Sequence, residues 1–110
     1  MSTPKRISFW IHLALTDDLS PVNGYRLHRY FGCHHTEFGW NVSHLPTGWR
    51  VQTNAFNYRT QAARFVRALV RRYGSEAWNF TDPQTVAKKK VWKGSGPVVR
   101  ALEARARASR

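Results

Sequence analysis

Between Phe38 and Gly74 the spacing of apolar residues changes once, from a period of two to that of a helix. In Trp40-Asn41-Val42-Ser43-His44 and again in Trp49-Arg50-Val51-Gln52-Thr53, large or β-branched residues alternate with polar ones, the pattern of strands with one covered face. Leu45-Pro46-Thr47-Gly48 between them places Pro where a type I turn starts and Gly where it closes, so the stretch predicts a hairpin. From Thr60 onward, Ala62, Phe65, Val66, Leu69 and Tyr73 fall on one helical face and Arg64, Arg67 and Arg71 on another. Thr60 is the expected cap of this helix and Gly74 its expected stop.

Upstream, Ile7-Ser8-Phe9-Trp10-Ile11-His12-Leu13-Ala14-Leu15 is apolar at every odd position, which predicts a strand. Trp10, Leu13 and Ala14 also fit helical spacing, so a short helix is the alternative. Asp17 to Gly24 is dense in turn formers and predicts a loop. Tyr25 to Phe31 alternates again as a strand, and Gly32 to Glu37 would connect it to the hairpin. After Gly74, Trp78 and Phe80 are expected to dock an ordered link onto the core. Asp82-Pro83-Gln84 has the cap and proline of a short helix start. Val98 to Arg110 is helical in composition, with Val98, Val99, Leu102 and Ala106 roughly on one side. A helix that short is marginal alone in water and is expected to fold against a partner, a second subunit or nucleic acid. The expected fold is therefore α+β: an antiparallel sheet of three to four strands packed on one amphipathic helix. It would form a single domain over residues 1–80, with a basic, partly helical C-terminal extension over 81–110.

Charge changes the picture from fold to function. The chain has 110 residues, room for one modest core, with 18 Lys+Arg against 6 Asp+Glu and a net charge of +12. Residues 1–58 carry five basic and three acidic side chains, whereas residues 59–110 carry thirteen and three. Such a field favours a polyanion: nucleic acid, an acidic protein surface or an anionic membrane. The membrane is the weakest of these, since Val98 to Arg110 is too Ala-rich for a continuous apolar stripe and no stretch has the apolar length of a membrane span. Lys5-Arg6 before an apolar run resembles a signal peptide in outline, but Ser8 and His12 interrupt the run and Asp17-Asp18 follows it. With one cysteine, Cys33, no internal disulfide can form, and a reducing, cytoplasmic setting is expected.

The polar face of the predicted hairpin would present Asn41, Ser43, Arg50, Gln52 and Asn54. Arg can bond guanine bidentately and Asn or Gln adenine, so this face has the chemistry to read base edges. Arg59, Arg64, Arg67, Arg71 and Arg72, together with Lys88, Lys89, Lys90 and Lys93, would neutralise phosphates. Trp92 within that lysine cluster adds a ring on which a base can stack.

Three antiparallel strands before a helix, with Phe56-Asn57-Tyr58-Arg59-Thr60-Gln61-Ala62-Ala63-Arg64-Phe65 at the junction, resembles the arm-type DNA-binding domains of tyrosine recombinases. Phe56, Ala62 and Phe65 match the spacing of that family's junction, while Tyr58 stands in place of its Thr and Gln61 in place of its Glu. The resemblance implies a sheet face laid in the major groove, with Asn41, Ser43, Arg50, Gln52 and Asn54 as readers. Arg59 to Leu69 is also similar to the second helix of double-stranded-RNA-binding domains, without their Lys-Lys-x-Ala-Lys signature. In being small, basic and rich in Arg and Trp, the chain resembles phage or mobile-element accessory proteins.

A metal or catalytic site would have to come from Cys33-His34-His35 with His12, His28 and His44. One thiol is too few for the usual paired zinc ligands, and in an extended segment His34 and His35 point opposite ways. His34 or His35 with Glu37 is the remaining hydrolytic arrangement, the acids being otherwise scattered. The expectation is a non-enzyme without cofactor or metal that binds nucleic acid, DNA favoured over RNA. The alternative is a modulator that binds an acidic surface of a partner protein; homodimerisation is left open.

Overall fold

The computed structural model describes residues 4–12, 18–81 and 96–108. Four strands, β1 (Lys5–His12), β2 (Leu19–His28), β3 (Phe31–Thr36) and β4 (Gly39–His44), form one antiparallel sheet in the order β1-β2-β3-β4. Helix α1 (Arg59–Tyr73), a 3-10 turn (Ser75–Trp78) and helix α2 (Gly96–Arg107) follow. The fold is α+β.

The β3–β4 register, Phe31 with His44, Cys33 with Val42 and His35 with Trp40, sets these residues on one face. α1 packs its Ala62, Phe65, Val66 and Leu69 into the same core as Phe31, Cys33 and Val42. All seven are essentially inaccessible, and each large apolar side chain so buried stabilises by roughly 1.5–3 kcal/mol. α1 begins at Arg59 rather than after a Thr60 cap, because Gln61 reaches back: its Oε1 accepts from the N–H groups of Asn57 (3.2 Å) and Tyr58 (3.3 Å). Gly74 ends the helix with φ +84°, a conformation costly for any residue with a Cβ. The link beyond docks as its aromatics predict: Trp78 meets Phe31 edge-on at 4.9 Å and Phe80 stacks on His44 at 4.4 Å.

The other face of the sheet is covered too, which alternation does not foretell. β2 pairs with β3 only from Tyr25 onward, while Leu19 to Gly24 continue as a ribbon with β1. Leu19 to Gly24 is thus strand and not the loop its composition predicts. Pro21 is tolerated because one side of β2 has no strand neighbour there. The ribbon folds back over β3 and β4: Phe9 packs on His34, and the His12 N–H donates to the Gly48 carbonyl (2.7 Å). Gly24 lies at the crossing, where a Cβ would collide with the Cys33 carbonyl.

Gly32 to Thr36 is likewise strand β3 and not a connector, so the hairpin partner of β4 is β3. Trp49 to Thr53 returns along the far edge of β4 without becoming a strand. Two isolated bridges hold it, Ser43 with Arg50 and Trp40 with Phe56, and between them the return segment bulges. Gln52 fills the bulge: its Oε1 accepts from the Val42 N–H (2.8 Å) and its Nε2 donates to Asn41 Oδ1 (2.7 Å). The remaining outward groups of β4 bond the backbone of Trp49, Val51 and Phe56, and that of Gly48 in the turn.

Helix α2 packs against its own chain, where its length alone predicts a partner, a second subunit or nucleic acid. Val99 and Ala106 belong to the core and Leu102 packs on it. Glu103, fully buried, accepts from Thr53 N–H (2.6 Å), from Thr53 Oγ1 (2.7 Å) and from Arg107 (3.1 Å). Gln61 Nε2 donates to the Arg107 carbonyl (3.2 Å), closing the far end of α2 onto the start of α1.

Candidate nucleic-acid interface

α1 and α2 together carry eight arginines and one glutamate, Glu103. Glu103 is spent inside the fold. A groove of about 660 Å³ runs between the helices; Arg64, Arg67, Arg71 and Arg72 line it from α1 and Arg105 from α2. Ala68, Leu102 and Ala106 form its apolar lining. All five arginines are exposed, and no carboxylate lines the groove among the described residues. The cause is local: Phe65, Val66 and Leu69 turn one face of α1 to the core, so residues 64, 67 and 71 turn out together. Arg64 to Arg71 spans about 10 Å of helix axis, roughly the axial rise of three phosphates along one DNA strand.

The other predicted contacts divide sharply. Arg59 leaves the groove, its guanidinium lying 4.3 Å from the centre of the Tyr25 ring. Ser43 (2% exposed) and Gln52 (3%) are buried and do not lie on an open base-reading face. Ser43 is opposite Gly32, whose neighbours are Phe9 and Leu45, so the folded-back ribbon covers it. Gln52 is turned into the edge of β4. Asn41 is half-buried, and Arg50 and Asn54 are exposed; these three share a pocket of about 360 Å³ with Thr36 and Phe38. Lys88, Lys89, Lys90, Trp92 and Lys93, like the helix start at Asp82, lie outside the described residues.

Sequence spacing does not single out Phe38 or Arg105. Arg105 could have been found from Leu102 and Ala106, which flank it at helical spacing. Phe38, 78% exposed, stands on the β3–β4 turn, out of step with the alternation on either side.

His34, His44 and Cys33 are buried in the fold. His34 is buried against Phe9 while His35 lies on the other face beside Trp40 (5.1 Å), and no metal-binding cluster exists among the described residues. Burial pushes the Cys33 thiol up to about 11, against the pull of Arg59 and of a backbone hydrogen bond at Tyr25, leaving it a poor nucleophile. Burial also lowers His34, with the charge of His35 adding to it, and lowers His28, with Arg29 adding to it. His44 is lowered by burial against the opposing effect of its bond to the Trp78 carbonyl. A carbonyl only accepts, so Nε2 (2.7 Å from it) carries the proton and Nδ1 accepts from the Thr47 hydroxyl (2.9 Å).

No described helix is long and apolar enough to cross a membrane. No family model, no curated protein and no solved structure matches the chain.

Proposed function

We propose that the protein binds nucleic acid without catalysis, gripping phosphates in the groove between α1 and α2. The observation that carries this reading is the convergence of Arg64, Arg67, Arg71, Arg72 and Arg105 on one groove with no lining carboxylate among the described residues. Guanidinium groups keep their charge at any working pH and match phosphate oxygens bidentately. The resemblance of Phe56 to Phe65 to arm-type domains favours DNA over RNA. The docking which that resemblance implies, sheet face into the major groove, conflicts with the burial of Ser43 and Gln52, so the helices take the leading part. Lys88 to Lys93 would add phosphate contacts.

Fluorescence anisotropy with a labelled 20-base-pair duplex, titrated against salt, tests it. Binding at about 50 mM salt should weaken linearly in log salt, with a slope of about −0.9 per phosphate contacted. Absence of binding to both duplex and single strand at that salt would refute the proposal.

One feature favours a second reading, an acidic partner protein. The groove's apolar lining of Ala68, Leu102 and Ala106 suits an amphipathic acidic helix as well as a phosphate backbone. Pull-down from nuclease-treated lysate separates the two: a partner retained at stoichiometry after nuclease digestion supports the second.

A further inference from the structure

We infer that the pocket beside the β3–β4 turn receives one unpaired base of a nucleic-acid strand whose backbone lies in the helical groove. The inference deepens the nucleic-acid reading and rests on it.

Among the described residues Phe38 is the most exposed of the large apolar side chains, and nothing in the core requires it. Its backbone is nevertheless fixed. The Phe38 N–H donates to Thr36 Oγ1 (3.1 Å), and the same hydroxyl donates to the Gly39 carbonyl (3.0 Å). The ring is thus held out on a braced turn. Beside it the pocket offers an exposed guanidinium, Arg50, and two amides, Asn41 and Asn54. Asn41 Oδ1 is taken by Gln52, which leaves its NH₂ group as the donor toward a ligand. No carboxylate lines the pocket among the described residues, and at about 360 Å³ it is at the small end of ligand pockets. One aromatic face, one guanidinium and two amides are the equipment for stacking a base and bonding its edge.

The fold joins this pocket to the groove. Thr53 is bonded to Glu103, and the Asn54 carbonyl accepts from Arg107, so the pocket rests on one flank of α2. Leu102, Arg105 and Ala106 line the groove on the other flank. A strand crossing α2 can meet both.

The test measures affinity of the full chain for a labelled dT20 strand and for a blunt 20-base-pair duplex at fixed salt. The wild type is compared with Phe38→Ala, Phe38→Trp and Arg67→Ala, with melting curves confirming that each variant is folded. Phe38→Ala should weaken strand binding by roughly 5- to 150-fold, the worth of one stacked base, while leaving duplex affinity and the salt slope unchanged. Phe38→Trp should retain the affinity. Arg67→Ala should weaken both ligands. If Phe38→Ala leaves strand binding intact while Arg67→Ala weakens it, the pocket inference is wrong and the groove stands. Equal loss on strand and duplex also overturns the pocket, as does Phe38-dependent binding of the mononucleotide dTMP as tight as that of the strand. Failure of the wild type to bind either ligand removes both the groove and the pocket.

Discussion

The outer face of the sheet and the outer face of the helices both look wet in the sequence, and the fold treats them oppositely. On the sheet, Ser43 is roofed by the folded-back ribbon and Gln52 is turned into the edge of β4. On the helices, the arginines stay out around a short apolar strip. The difference is one of desolvation. A hydroxyl or an amide is neutral and can be satisfied inside by one or two backbone groups, so burial costs it little once bonded. A guanidinium keeps its charge and brings five donors, and it is almost never buried without a paired anion. The described residues show that one exception in half-measure: Arg107 pairs with buried Glu103.

The largest expected effect separates these faces directly. Reversing two groove charges, Arg67→Glu with Arg71→Glu, should lower nucleic-acid affinity on the order of 100-fold at low salt while leaving the melting temperature nearly unchanged. Ser43→Ala should leave duplex affinity unchanged, and a comparable affinity loss would return major-groove reading to the sheet face.

Next in size is Glu103→Ala, which strands the Thr53 N–H and loosens Arg107. A stability loss of about 2–3 kcal/mol in denaturant unfolding is expected, and no loss would mean that α2 docks by apolar contact alone. Gln52→Ala leaves the buried Val42 N–H without its acceptor and should cost about 1–2 kcal/mol by the same measurement.

The smallest effect is in pH. His28, His34 and His44 all have folded-state values below the ordinary histidine value, so the fold favours the neutral rings. Their contribution to stability is complete above the unfolded value, about 6.5, and is lost as pH falls below it toward the lowered values. Melting temperature should therefore drop between pH 7.5 and pH 5, and His44→Gln should flatten the curve. A curve already flat in the wild type would contradict the burial of these rings.

What the sequence makes legible follows from range. The face of α1 and the alternation of β4 are local periodicities, and both appear in the fold where spacing puts them. Trp78 and Phe80 are legible because large aromatics so close to a helix end have little choice but to return to the core. Leu19 to Gly24 misleads because ladder pairing with β1 outweighs the turn preferences of Pro21, Asn23 and Gly24. Trp49 to Thr53 misleads in the opposite sense: a bulge beside β4 displaces Gln52 from the alternation its neighbours obey. The docking of α2 depends on Glu103 meeting Thr53, 50 residues away in sequence, which no local pattern reports. Among the site residues, Arg64, Arg67 and Arg71 were readable for the reason α1 was, and Phe38 was not, because a turn residue has no period.

The bulge has a consequence beyond stability. A terminal strand normally offers alternate amides and carbonyls to any extended segment that drifts past, which is how fibres start. On β4, all six outward backbone groups of Trp40, Val42 and His44 are taken, five by backbone partners and the sixth by the Gln52 amide. One side chain thus completes a seal that a regular strand would have moved one position outward, leaving no unpaired outward amide or carbonyl on those three residues of β4.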